Sequence, residues 1–278
     1  MVPELFDFVK VRKADARAKA LGAETFLLDR AGEDLVERLA PVLRDFDAAL
    51  DFGTPSGAFG KALAAARPVG KVEALAPEAS AFTLPDAHYA LILSGMVMHR
   101  VNDLPGLLIQ LRRALKPDGL MIAAFPGGDT LTELRDSLMA AEIEIRGAAG
   151  LRVFPMIDVR AAGQLLQRAG LALPVADSEK LTVRYADLFA LIRDLRAMGG
   201  TAAPLLRKGQ PGLTRAILLR AAEIYHARYA DPDGRIRATF EMIWISGWAP
   251  HASQQKPLKP GSAKMRLAEA LKAIEGDK

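Results

Sequence analysis

The feature that most constrains this chain lies between residues 47 and 66, where the hydrophobic period changes across a glycine turn. DAALDF at 47–52 is a short apolar run of strand length, GTPSG follows it, and AFGKALAAA at 58–66 is alanine-rich and helical. Strand, glycine turn and helix make the opening unit of an α/β nucleotide-binding fold, in which a helix N-terminus faces the carboxyl end of a strand.

The unit repeats downstream. YALILS at 89–94 reads as a buried strand, 104–115 as a helix and GLMIAAF at 119–125 as a third strand, with the turn KPDG stopping the helix and starting the strand. Helices are expected over 130–146 and 159–169. This alternation predicts an α/β fold with a mostly parallel sheet and helices on both faces. Beyond residue 171 the rhythm loosens into short strands at 172–176 and 181–185, helices at 187–198 and 213–229, and a last strand at 239–248. The two late helices form an expected lid, residues 187–230, over the strand ends. Ahead of the first strand, EDLVERLAPVLRDF at 33–46 is an amphipathic helix kinked at Pro41. The resulting division is an N-terminal helical segment over 1–46, a main domain over 47–260, and a tail over 261–278 with a helix at 266–274.

Composition removes several classes of function. Of 278 residues, half are apolar, enough for a large core, and none is cysteine, so disulfides, thiolate nucleophiles and sulfur-ligated metals are excluded. The four histidines, His88, His99, His226 and His251, never pair at helical spacing, and no metal site is expected. The net charge of +4 is mild and basic residues are not interleaved with aromatics, which argues against nucleic acid as a partner. One basic cluster, Lys10, Arg12, Lys13, Arg17 and Lys19, follows Leu5, Phe6, Phe8 and Val9. It reads as an amphipathic helix with a solvated basic face, and it admits peripheral membrane contact. No run approaches the roughly 20 apolar residues of a membrane span, and the expected location is cytoplasmic.

In the glycine turn, Asp51 stands at the strand end, and Gly53 and Gly57 supply positive φ and close backbone approach. Pro55 occupies the middle glycine position of a D-x-G-x-G-x-G loop, with φ fixed near −65° and no N–H. The next strand, KVEALAP at 71–77, should end in a carboxylate that accepts hydrogen bonds from ribose hydroxyls. In register that position is Ala74. Glu73 lies one residue off, on the other face, and is the remaining carboxylate candidate in the strand. Between Gly57 and the strand at Tyr89 an intact fold needs about 48 residues for two helices, two strands and their loops. The chain supplies about 30, so one crossover is trimmed.

From residue 94 the sequence SGMVMHRVNDLPGLLIQLRRALKPDGLMIAAFPGGDTLTELRDSLMAAE closely resembles the class I S-adenosylmethionine-dependent methyltransferase-like proteins grouped with the mitochondrial complex I assembly factor that hydroxylates an arginine. It is more distantly similar to the malonyl carrier-protein methyltransferase of biotin synthesis. The likeness continues through RAAGQLLQRAGLALPVADSEKLTVRY, DLRAMG, DPDGRIRATFE and GWAPHASQQKPLKPGSA, nearly the whole chain.

This resemblance implies a Rossmann-like sheet of the methyltransferase type, with S-adenosylmethionine as cofactor and Asp51, Gly53, Gly57, Glu73 and Ser94 around it. His99, in MHRVNDLP where the family reads L-H-W-V-N-D-L-P, is implied near the cofactor's sulfonium end as the catalytic candidate. It also implies a protein client such as a subunit of the respiratory NADH dehydrogenase. Several positions depart from the family pattern: Ala90 replaces an aspartate, Arg100 an aromatic, Phe154 and Met156 the serine and phenylalanine of R-V-S-P-F, and Gly200 and Ala202 a polar pair. Gly127, Gly128, Asp129, Glu133 and Arg135 are kept. Two functions follow as expectations: an enzyme that methylates or hydroxylates a client, or a catalytically inactive fold acting as an assembly partner.

Overall fold

The computed structural model describes residues 5–76, 83–201 and 211–255. Two helices open the chain, α1 (Phe8–Ala20) and α2 (Phe26–Leu39). There follow β1 (Ala48–Phe52), α3 (Ala58–Ala66), β2 (Lys71–Leu75), β3 (Tyr89–Gly95), α4 (Leu104–Ala114), β4 (Leu115–Pro126), α5 (Thr132–Arg146) and α6 (Val159–Arg168). The last elements are β5 (Ala172–Tyr185), α7 (Leu188–Ala197), α8 (Arg215–Tyr229) and β6 (Ile236–Trp248).

The strands form one sheet in the order β2-β1-β3-β4-β6-β5. The first three ladders are parallel, as the alternating sequence predicts, and β6 runs antiparallel to both β4 and β5. α2 and α3 cover one face through Leu35, Leu39, Phe59 and Leu63 against Leu91, Leu93 and Trp244. α4 and α6 cover the other through Leu107, Leu108, Leu111 and Leu166 against Ile92, Met121, Phe125 and Ile243. A third cluster packs α5, α7 and α8 around the far ends of β5 and β6. β2 is an edge strand and reaches β3 through residues 76–88 alone, the trimmed crossover expected from the spacing.

Three expectations are corrected. The helix preceding β1 begins at Phe26 and ends at Leu39, so Pro41 follows its stop and does not kink it. The short strands at 172–176 and 181–185 are one strand of 14 residues, because a partner as apolar as β6 holds the polar stretch between them in the ladder. KPDG lies within β4, which starts at Leu115, and Asp118 takes a left-handed φ of 63° there. The expected helix at 266–274 lies outside the described residues.

Candidate functional site

The carboxyl ends of β1 and β3 carry the site. Asp51 is 1% exposed, and its Oδ2 accepts a hydrogen bond from the Gly60 N–H at 2.8 Å, tying the strand to the first turn of α3. A side chain at residue 60 would crowd this contact: a Cβ would stand 2.8 Å from Val72 Cγ1. Burial pushes the Asp51 carboxyl above its ordinary range, opposed by the Thr54 hydroxyl and the Gly60 N–H. Its Oδ1 has no hydrogen-bond partner among the described residues.

The loop keeps the expected backbone around its proline. Gly53 sits at φ 74° and donates to Leu75 O at 2.7 Å, while Gly57 sits at φ 63° as the N-cap of α3. Ser56 is left-handed too, at 57°, a conformation that L residues adopt at a cost. Thr54, which sequence reasoning passed over, is buried, and its Oγ1 accepts from the Gly95 N–H at 2.8 Å. That bond joins the glycine loop to the end of β3.

Ala74 pairs with Asp51 in the β1–β2 ladder, on the face of Gly57: a Cβ added to Gly57 would lie 3.6 Å from the Ala74 methyl. Glu73 pairs with Leu50 and therefore points to the opposite face. There it takes Lys71 Nζ at 2.6 Å and the Tyr89 hydroxyl at 2.8 Å, and the Lys71 ammonium followed by that hydroxyl holds its carboxyl below the usual range. The structure thus brings Asp51, Gly53 and Gly57 together and leaves Glu73 apart from them.

Ser94 lies one step beyond Leu93, the partner of Asp51, so its side chain leaves the sheet on the face away from Asp51. It is wholly buried and its Oγ has no partner among the described residues. His99 follows in a 3₁₀ turn, Met98–Arg100, with its ring edge-on to Phe154 at 5.7 Å. Burial first, then the Arg100 charge, drives the His99 pKa well below its ordinary value, so the imidazole is neutral. Its Nδ1 is buried and unpartnered among the described residues. A neutral ring of such low basicity serves better as a hydrogen-bonding group than as a base.

The N-terminal segment closes over this turn. Asn102 Oδ1 accepts from the N–H groups of Leu5 and Phe6 at 2.7 and 2.9 Å, and Asn102 Nδ2 donates to Phe6 O at 3.1 Å. Arg100 pairs with Asp15 of α1 at 2.8 Å, and Phe6 packs on Phe154 at 5.3 Å between ring centroids. Asp103 caps α4 by accepting from the Gly106 N–H. The adjacent Asn102 and Asp103 of the sequence motif therefore have separate tasks.

The stretch 127–135 acts on the backbone. The Asp129 N–H donates to Glu241, Glu133 accepts from the N–H and hydroxyl of Thr239, and Arg135 donates to the carbonyls of Gly128 and Thr130. An open polar cleft of about 440 Å³ lies beside them, lined by Asp129, Glu133, Lys180, Tyr229, Arg237 and Thr239. Among the described residues no group of three His, Asp or Glu side chains could hold a metal, and no helix is long and apolar enough to cross a membrane.

A sheet of parallel strands closed by an antiparallel β6, flanked by helices and with an aspartate-glycine loop at its first strand, defines a methyltransferase-type fold. Residues 25–174 match the methyltransferase domain family, and the chain belongs to it. Among curated relatives, the arginine-hydroxylase NDUFAF5, mitochondrial, of Dictyostelium discoideum is 43% identical over 67% of this chain and 42% of its own length. That of Danio rerio is 41% identical over 66% of this chain and 57% of its own, so the chain spans about half the length of these two relatives. The Mus musculus protein is 34% identical over 89% of this chain and 77% of its own. The malonyl-[acyl-carrier protein] O-methyltransferase of Halorhodospira halophila is 28% identical over 91% and 92% of the two chains. A methyltransferase structure from Bacillus halodurans superposes with a TM-score of 0.51 at 15% identity, covering 79% of this chain and 99% of that one, a likeness of fold alone.

Proposed function

We propose that the chain is a cytoplasmic methyltransferase-like protein that binds S-adenosylmethionine by its methionine end and modifies a protein client, by methylation or, with dioxygen and a two-electron reductant as co-substrates, by arginine hydroxylation, in assembly of the respiratory NADH dehydrogenase. The observation that carries this reading is a set of buried polar atoms that have no partner among the described residues, at and just beyond the ends of β1 and β3: Asp51 Oδ1, Ser94 Oγ and His99 Nδ1. Each costs about 1–3 kcal/mol when left unmade, a cost that a polar ligand at the strand ends would offset. Asp51, Gly53 and Gly57 from one face of the sheet and Ser94 from the other would hold that end of the cofactor, which when bound supplies an electrophilic methyl group. His99, kept neutral, would orient the acceptor. The arginine-hydroxylase relatives support a client side chain as acceptor.

The ribose end favours a second reading. Ala74 offers no side-chain acceptor, Glu73 is engaged on the other face, and β2 has no outer neighbour among the described residues. In this reading the fold docks on a client without chemistry. Calorimetric titration with S-adenosylmethionine and S-adenosylhomocysteine separates the two. A micromolar complex, about −8 kcal/mol, supports the enzyme. Absence of heat from folded protein leaves the docking role.

A further inference from the structure

The inner face of α1 is fastened by Val11, Ala14 and Ala18, by the Asp15–Arg100 pair and by the clasp of Asn102 on Leu5 and Phe6. Its outer face is free, and its pattern is specific. At 100° per residue, Val9, Ala16 and Ala20 point directly outward, in line with Leu5 just ahead of the helix. Leu5 and Val9 are each 51% exposed. Arg12 and Lys19 flank this apolar stripe on one side, Lys13 and Lys10 on the other, and all four are exposed.

Neither carboxylate of the segment lies on the stripe: Asp7 caps the helix through the N–H groups of Val9 and Lys10 and pairs with Lys10 Nζ at 3.7 Å, and Asp15 meets Arg100. The outward face of the helix therefore carries Arg12, Lys13 and Lys19 with no anion of α1 beside them, and Lys10, paired to Asp7, at its margin. α7, packed against α1, adds exposed Phe189, Arg193 and Arg196.

We propose that this face of α1 is a membrane-docking surface that lies flat on a bilayer rich in anionic lipid, with Leu5 and Val9 entering the acyl boundary and Arg12, Lys13 and Lys19 at the phosphates. An apolar centre between two cationic flanks matches the cross-section of a lipid interface, where long cationic side chains reach up to headgroups while apolar ones sink below. A nucleic acid or an acidic protein would use the cations and leave the apolar stripe idle. The surface is distinct from the strand-end site and does not depend on whether a cofactor binds there. It would hold the His99 turn, which α1 covers, close to the membrane plane.

The test is sedimentation of the full chain with vesicles of phosphatidylcholine alone and with about 30% phosphatidylglycerol, at about 0.1 M salt. Binding is expected only to the anionic vesicles. Each cation-to-glutamine change is expected to weaken it about fivefold, so Arg12→Gln, Lys13→Gln and Lys19→Gln together should lower it about a hundredfold. Val9→Glu should abolish it with the cations intact, and hydrogen exchange at Val11, Ala14 and Ala18 checks that α1 stays docked. Vesicle binding that survives Val9→Glu, or heparin binding that survives it while vesicle binding is absent in the unaltered chain, overturns the proposal in favour of a polyanion surface. No binding to anionic vesicles overturns it outright.

Discussion

Ala74 stands directly across the β1–β2 ladder from Asp51, with its methyl group 3.6 Å from where a Cβ on Gly57 would lie. A carboxylate at residue 74 would therefore face the glycine loop, and it would also face a buried carboxyl whose pKa burial already raises.

Ala74→Asp accordingly acts in two directions. Without ligand it should lower stability by about 1 kcal/mol through repulsion with Asp51, seen as a lower urea midpoint. With S-adenosylmethionine it should tighten binding at least tenfold by calorimetry, more when joined to Pro55→Gly. Unchanged affinity in the double variant would locate the defect in the trimmed crossover.

Asp51→Asn keeps an acceptor for the Gly60 N–H and removes a charge whose burial is unfavourable. Because the folded pKa is raised, the folded state binds the proton more tightly, and the stability this confers is present at acid pH and lost as pH rises through the raised value. At neutral pH the variant should be as stable as the parent or more so, by about 1 kcal/mol, while any cofactor affinity falls at least tenfold. A clear loss of stability would show that Asp51 is needed for folding.

The neutral His99 ring predicts an acid-sensitive fold. Its folded pKa lies well below 6.5, so below about pH 6.5 the unfolded chain takes up a proton that the folded chain refuses, and stability falls by up to about 1.4 kcal/mol per pH unit. Urea midpoints of the parent should drop between about pH 7 and 5, and those of His99→Asn should drop less. His88, His226 and His251 are exposed and common to both proteins. Identical slopes would sink the assignment.

Glu142 is 1% exposed and gathers Arg152, Arg146 and the Gly150 N–H. Burial raises its carboxyl, but the hydrogen bonds and charges of these partners outweigh that and hold it below the ordinary range. The stabilisation is therefore complete above about pH 4.5 and lost as pH falls through the depressed value. Glu142→Gln leaves Arg152 uncompensated and should cost about 3 kcal/mol in chemical denaturation. A loss under about 1 kcal/mol would mean that the arginine turns freely to water.

Much of the parallel half was legible because its strands are buried on both faces and read as continuous apolar runs, as in YALILS. β5 was not, since an antiparallel edge strand can carry DSEK on its open side while β6 supplies the apolar partner. The start of α2 was hidden by Gly32, an unfavourable helix residue that lies buried within the helix. In the site, Asp51, Gly53 and Gly57 were readable from loop chemistry. Thr54 was not, because its partner is a backbone N–H 41 residues away. The off-face position of Glu73 follows from strand alternation. Its engagement by Lys71 and Tyr89 required the third dimension.

The clasp of Asn102 on Leu5 and Phe6 also sets an order of events. Its two sides are nearly a hundred residues apart, so α1 leaves the ribosome well before its partner and cannot be secured until β3 and the turn after it have been made. During synthesis its apolar inner face waits unpaired. α1 is thus among the late pieces of the fold to be locked, and a chain interrupted before residue 102 would expose it.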